Sequence, residues 1–309
     1  MKDKFTHLNL PAGTIRLAVT SRCNMDCFYC HNEGQDKKEF LDLDYDSFKK
    51  IIETSGKFGL RGVSFSGGEP FLNKDFPKMV EHVVNMALPK IDICTNGILV
   101  REHIDLLKTS KNINLVIGID TCDSKKISKQ SKIGKTFKYI EQNIKLLKEQ
   151  GITFSINTVY SGKNSGEVYE IAEYCKKNEI DIRIIEMDTY QYIADSKVSP
   201  LFGVFIKKMS EHFDLDLGYA HPGKGFYSRH SNGSEIYFYH SKCHIRDCFN
   251  CGRCHFRIDA AGQAIPCYAR NCKISLLKND PEESHANFLL SIYNLGISPE
   301  KEKKGRPKL

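Results

Sequence analysis

The chain of 309 residues contains no tryptophan, so its aromatic surface must come from 18 phenylalanines and 14 tyrosines. It has no unbroken stretch of roughly 18 apolar residues, which excludes a membrane-spanning helix. Its first residues, MKDKFTHLNLPAGTIRL, lack the apolar core of a secretory signal, so a cytoplasmic protein is expected. Low-complexity tracts are missing too. Acidic residues are somewhat scarce, 38 against 45 Lys and Arg, giving a formal charge of +7. That excess is spread along the chain. Diffuse charge is what a solvated basic surface gives, or at most an anionic partner. It argues against nucleic acid, and neither nucleic acid nor a membrane is expected as a partner.

What is present is a globular composition, 40% hydrophobic and 27% charged, in a chain long enough for one large domain or two ordinary ones. Cysteine is abundant at 12 residues. Clustered cysteines without a secretory signal point to metal binding rather than disulfides. Three lie at Cys23, Cys27 and Cys30, and six fall between Cys243 and Cys272. Cys94, Cys122 and Cys175 stand singly.

Apolar, β-branched runs alternate with stretches of helical period. Strands are expected at 14–20, 62–67, 90–97, 114–120, 152–160 and 180–187. Helices are expected at 45–59, with Asp44 or Asp46 as N-cap, and at 75–87, 101–110, 136–151, 165–178 and 199–213. Six β/α units in series predict parallel strands with helical crossovers, an α/β fold of the partial (β/α)6 barrel type. Around Gly218 the pattern becomes rich in Gly, His and aromatics, which predicts a boundary followed by a hairpin. Residues 1–217 are read as the core and 218–309 as a C-terminal, cysteine-rich domain. In that domain DAAGQAIP reads as a turn between two strands, 281–296 as a helix and the remainder as a charged tail.

In such a fold the site lies at the C-terminal ends of the strands. Cys23 follows the first strand, Gly67-Gly68-Glu69-Pro70 the second, Thr95-Asn96-Gly97 the third and Asp120 the fourth. Zinc sites commonly close with four ligands. An iron–sulfur cubane can instead accept three thiolates and leave one iron open to an exogenous molecule. Cys23, Cys27 and Cys30 are spaced tightly enough for one loop to wrap such a cluster, and Tyr29 adds a ring beside it. Two glycines in SGGEP let backbone approach a ligand closely. The second group spaces Cys248, Cys251 and Cys254 by two residues each, with Cys267 twelve residues on. Structural zinc with His244 or His255, or a second iron–sulfur cluster, would both use that pattern.

The triplet C-x3-C-x2-C with an aromatic before its last cysteine, followed one unit later by GGEP, resembles the radical S-adenosylmethionine (SAM) superfamily. The blocks IRLAVTSRCN, SGGEPFL, CTNGILV, LVIGIDT, FSINTVYSGKNSGE and IRIIEMD are similar, in order, to the MoaA family, the GTP 3′,8-cyclases of molybdenum-cofactor biosynthesis and their relatives. The resemblance implies a partial barrel with a C-terminal auxiliary-cluster domain. It implies a 4Fe–4S cluster on Cys23, Cys27 and Cys30 whose open iron is chelated by SAM. SAM is then cleaved to methionine and a 5′-deoxyadenosyl radical that abstracts hydrogen from substrate. Tyr29, Gly67, Gly68, Glu69, Pro70, Thr95, Asn96 and Asp120 would shape the SAM site. Cys251, Cys254 and Cys267 would hold a second 4Fe–4S cluster, with Cys248 as a possible fourth ligand that would close it. Arg16, Arg183 and Arg257 match basic residues of the family's GTP pocket and would contact substrate. An electron donor of flavodoxin or ferredoxin type is implied as a partner.

Ser64 and Ser155 stand where that family commonly has basic residues, and CHFRI keeps one arginine of a usual pair. A triphosphate wants several charge-assisted donors, so a related enzyme, lyase or oxidoreductase, acting on another small molecule or a peptide is expected. A true GTP cyclase is the alternative. A zinc or iron–sulfur module for nucleic acid or electron transfer is a third reading, against which the open triplet with GGEP speaks. Plainer roles remain for single residues. Arg16 and Arg183 could pair with Glu69 or Glu186, and Asp120 could make structural hydrogen bonds. Cys94 could be a thiol hydrogen donor or a small buried residue. Cys122 and Cys175 are read as structural, and His221, His230 and His240 as linker or surface residues.

Overall fold

The computed structural model describes residues 13–30, 32, 35, 40–187, 200–221, 225–239, 256–265, 273–280, 282–284 and 287. The chain divides into two compact units. One comprises Met1–Cys23, His31–Ile93 and Ile245–Leu309, the other Asn24–Cys30 and Cys94–His244.

The first unit contains β1 (Thr14–Ala18), α1 (Tyr45–Gly56), β2 (Gly62–Ser66) and α2 (Phe76–Asn85), and β3 (Lys90–Thr95) begins there. From the C-terminal part come β10 (Phe256–Ile258), β11 (Gln263–Ile265) and β12 (Ile274–Ser275). The strand order is β12-β11-β10-β1-β2-β3. β10, β1, β2 and β3 run parallel, while β11 and β12 turn back antiparallel. The alternation of β1 and β2 explains the layering. Ile15, Leu17, Val63 and Phe65 are buried on one face, and Phe48 of α1 and Phe76 of α2 reach Phe65 with ring centroids 6.1 and 5.2 Å away. Such aromatic pairs add to the burial of Ile51, Ile52, Met79, Val80 and Val83 on the two helices. The α1 cap is Asp44, whose carboxylate accepts from the Ser47 amide.

The second unit contains α3 (Ile104–Leu107), β4 (Ile113–Gly118), α4 (Ser124–Gln130), α5 (Phe137–Glu149), β5 (Thr153–Tyr160), α6 (Ser165–Lys177), β6 (Ile182–Glu186) and α7 (Pro200–Phe213). β7 (Gly218–His221), β8 (Gly225–Arg229) and β9 (Glu235–Tyr239) follow. The order is β4-β5-β6-β9-β8-β7, parallel from β4 through β9 and antiparallel beyond. The segment after Gly218 therefore holds three strands rather than one hairpin, and β9 extends the parallel array at β6. His230, expected at the surface, is buried in the β8–β9 connection, where its amide bonds the Ser234 carbonyl. The six expected β/α units are all present. Their third helix is only a 3-10 turn (Val100–His103) and the short α3, and α4 was not expected. No helix among the described residues is long and apolar enough to cross a membrane.

Candidate active site

Cys23, Cys27 and Cys30 are half-buried in the loop after β1, and none is in a disulfide. The Cys30 amide donates to the Cys27 carbonyl at 3.1 Å, closing a turn across Phe28 and Tyr29. Among the described residues no three Cys, His, Asp or Glu side chains are grouped as for one metal ion. A cubane makes a different demand, because each thiolate binds its own iron and the sulfurs stand further apart than around one ion. Three cysteines within eight residues suit that donor requirement.

Within the first unit, the GGEP loop is clamped on the strand leading into Cys23. Amides of Val19, Gly68 and Glu69 bond the carbonyls of Ser66, Thr20 and Arg22 at 2.9, 2.8 and 2.8 Å. Gly67 has φ of +136°, and a Cβ there would lie 2.3 Å from the Thr20 carbonyl oxygen; one on Gly68 would lie 1.9 Å from that of Arg22. The glycines thus serve a backbone-on-backbone contact beside the cysteines. Glu69 is fully buried, and its carboxylate accepts from the Phe71 amide at 3.3 Å, capping the 3-10 turn Pro70–Leu72.

Sequence reasoning passed over Arg22. Its guanidinium bonds both oxygens of Asp42, at 3.1 and 2.5 Å, and the Leu72 carbonyl at 2.7 Å. Thr20 adds its hydroxyl to the same carboxylate. Gln35, also missed, donates to the Thr20 carbonyl and accepts from the Ala260 amide. The available signal was adjacency, since both residues flank the triplet.

Within the second unit, Asn96 donates to Asn24 Oδ1 at 2.7 Å, which ties the end of β3 to the residue after Cys23. Thr95 Oγ1 accepts from the Gly97 amide. The Tyr29 hydroxyl donates to Asp120, whose other oxygen accepts from the Val159 amide at 2.8 Å. Burial pushes the Asp120 carboxyl up to about 6, against the opposing pull of the two hydrogen bonds it accepts. Burial, and then the carboxylate beside it, raise the Tyr29 phenol well above its ordinary value, so it remains a donor at neutral pH. Residues 130–132 run along the loop: the Asp26 and Lys132 amides bond the Gln130 and Asn24 carbonyls at 2.8 and 2.9 Å.

The strand faces opposite the apolar ones are polar. In the first unit Arg257, Arg16, Ser64 and Asp92 stand in one register row across β10, β1, β2 and β3, and Arg16 reaches the Ser64 hydroxyl at 3.3 Å. In the second, Gly118, Asn157, Arg183 and Tyr237 form a row across β4, β5, β6 and β9. Parallel strands packed by apolar layers on both sides read as continuous hydrophobic runs; these strands instead carry one polar face. Asn24 Nδ2, Ser66 Oγ, Ser155 Oγ, Asn157 Oδ1 and Glu186 Oε2 are buried without a hydrogen-bond partner. Buried polar atoms of this kind ordinarily find partners. In the first unit Ser66 adjoins GGEP; in the second Asn24 follows Cys23 and the other three lie on β5 and β6, and in each unit such atoms suit a ligand rich in polar groups.

Cys94 is half-buried, and burial drives the Cys122 thiol up to about 12 and the Cys175 thiol higher still, consistent with inert structural thiols. Cys248, Cys251, Cys254 and Cys267 lie outside the described residues.

A cysteine loop braced by a Gly-Gly-Glu-Pro turn, at the carboxyl ends of parallel strands in a β/α series, defines a class. The chain belongs to the radical SAM superfamily, whose family model, described as "Radical SAM superfamily", matches residues 17–175. More narrowly, it is MoaA-like. It is 33% identical over 177 residues to a probable GTP 3′,8-cyclase of Methanococcus maripaludis, covering 56% of this chain and 58% of the relative. It is 27% identical over 295 residues to a probable GTP 3′,8-cyclase of Methanosarcina mazei, covering 90% and 84%. The match thus spans less than two thirds of the length of the Methanococcus maripaludis relative. Among solved structures, Streptococcus suis SuiB bound to precursor peptide SuiA is similar with a TM-score of 0.67 at 18% identity, covering 91% of this chain and 66% of that one. That likeness is one of fold, and it agrees with the α/β, partial (β/α)6 barrel class expected from the repeated units.

Proposed function

We propose that this chain is a radical SAM enzyme that abstracts hydrogen from a small-molecule or peptide substrate other than GTP. The observations that carry the reading are, in the first unit, the clamping of GGEP and Arg22 around the strand leading into Cys23 and, in the second, the Asn96–Asn24 and Tyr29–Asp120 bonds that anchor the segment of Cys27 and Cys30. Cys23, Cys27 and Cys30 would hold a 4Fe–4S cluster, which supplies the electron that cleaves SAM. Tyr29, Gly67, Gly68, Glu69, Pro70, Thr95, Asn96 and Asp120 form the SAM site in this reading. Gly67 and Gly68 fix the backbone there, while Asp120 and Asn96 orient the loop. Arg16, Arg183 and Arg257 face substrate from the polar strand faces, and closure of such a face against water protects a reactive radical.

Residues 1–217 carry this chemistry in the proposal. Residues 218–309 carry a second cluster on Cys251, Cys254 and Cys267, with Cys248 as candidate fourth ligand. The electron donor is a flavodoxin or ferredoxin.

Ser64, in register with Arg16, and Ser155 supply hydroxyls where a triphosphate site would gain from charge. Each charged hydrogen bond forgone costs roughly 1.5–3 kcal/mol, which favours a less anionic substrate. A GTP cyclase is the second reading, favoured by the adjacent Arg16 and Arg257 and by the names its relatives carry, probable GTP 3′,8-cyclases. Anaerobic reconstitution followed by incubation with SAM and dithionite tests the proposal: 5′-deoxyadenosine should form, and GTP should not stimulate it. Formation only with GTP selects the cyclase, and no formation with a full complement of iron overturns both.

A further inference from the structure

The helix α4 and the turn after it bear five lysines and one aspartate between Asp123 and Lys135. Lys125, Lys126, Lys129 and Lys132 are exposed; Lys126 pairs with Glu167, and Lys135 lies over the Tyr139 ring at 4.0 Å. This segment is laced to the cysteine loop by the Asp26–Gln130 and Lys132–Asn24 backbone bonds and the antiparallel bridge of Met25 with Ser131. Large apolar side chains stand out on both strands of that junction: Phe28, next to Cys27, is 70% exposed, and Ile133 is 48% exposed. The chain's overall basic excess is diffuse, but here it is concentrated. An exposed aromatic within a mainly basic rim, in which Asp26 and Asp123 are the acidic members, is the anatomy of a transient protein interface.

We propose that Phe28, Ile133 and the lysines of 125–132 form the docking surface for an acidic, one-electron carrier protein. The proposal rests on the radical SAM reading, which requires that one electron leave the carrier and enter the cluster, with no proton or group transferred. Electron transfer falls steeply with distance, so the carrier must dock beside the loop that holds the cluster, and this surface is continuous with that loop by backbone hydrogen bonds. Opposite charge supplies the encounter rate, and the aromatic supplies a desolvated centre. A carrier that must leave after each electron needs no large interface.

The test uses the full chain, reconstituted anaerobically, and an acidic flavodoxin as the probe. The double variant K125E/K129E reverses two exposed charges outside the cysteine loop; K145E/K177E makes the same change on α5 and α6. Binding of flavodoxin should weaken about tenfold or more in K125E/K129E, weaken with salt in the wild type, and stay near wild type in K145E/K177E. Flavodoxin-driven SAM cleavage should fall in parallel, with dithionite-driven cleavage unchanged. Equal weakening in both variants, or none in K125E/K129E, overturns the docking surface. So does a single-stranded RNA that binds at this segment when flavodoxin does not. Absence of dithionite-driven cleavage in the wild type overturns the radical SAM reading instead, and the binding measurement still judges the surface.

Discussion

Gly68 illustrates how narrowly a single residue can be prescribed. A methyl group at this position would press on the Arg22 carbonyl, a backbone atom that no rotamer change can move aside. Gly68→Ala should therefore cost at least about 1–3 kcal/mol, seen as a lower denaturation midpoint, and should also lower the iron retained after reconstitution. Tyr29 makes a different argument. Tyr29→Phe keeps the ring but leaves a half-buried Asp120 oxygen without this donor. That loss is worth about 1–3 kcal/mol. Urea denaturation of the cluster-free chain should show it, which separates loop anchoring from any role in binding SAM. The glycines and the cysteines were legible in the sequence because their chemistry has a fixed spacing. Arg22 and Gln35 were not, because what they do depends on Asp42 and Ala260, whose proximity only the folded chain creates.

At the scale of elements, the strands and helices with clear apolar period were legible almost to their ends. β5, expected at 152–160, is Thr153–Tyr160, and α6, expected at 165–178, is Ser165–Lys177. The element passed over, α4, has only Ile127 as a buried hydrophobic anchor in a run of Ser, Lys and Gln. Its helix rests on the Asp123 cap and on the neighbouring loop, not on a pattern of its own. The pairing of β10 with β1 joins segments far apart in sequence and leaves no local trace. The cap of α1 offers a test at this scale. The Ser47 amide and hydroxyl hold the Asp44 carboxyl below its ordinary value. With the folded value depressed and the unfolded one near 3.9, the cap contributes fully above that pH and is lost as pH falls through the folded value. Asp44→Ala should cost about 1 kcal/mol at neutral pH, and the gap between wild type and variant should close in acid titration of the denaturation midpoint.

For the whole molecule, the arrangement of cysteines decides what the protein is for. The six lone or N-terminal cysteines are described, and two of them, Cys122 and Cys175, are held as protonated thiols by burial. In the proposed reading Cys23, Cys27 and Cys30 bind one cluster, and Cys251, Cys254 and Cys267 bind a second, independent one. Two cubanes would give about eight iron atoms per chain. Replacing Cys23, Cys27 and Cys30 together by alanine should lower this to about four and abolish 5′-deoxyadenosine formation. Replacing Cys251, Cys254 and Cys267 should also leave about four iron atoms but preserve dithionite-driven SAM cleavage, because Cys23, Cys27 and Cys30 are untouched. Iron analysis and chromatography of the nucleoside read both outcomes on the same samples. If instead the second set of substitutions removed all iron, the two groups would not be independent clusters, and the assignment of SAM cleavage to the Cys23–Cys30 group alone would fail.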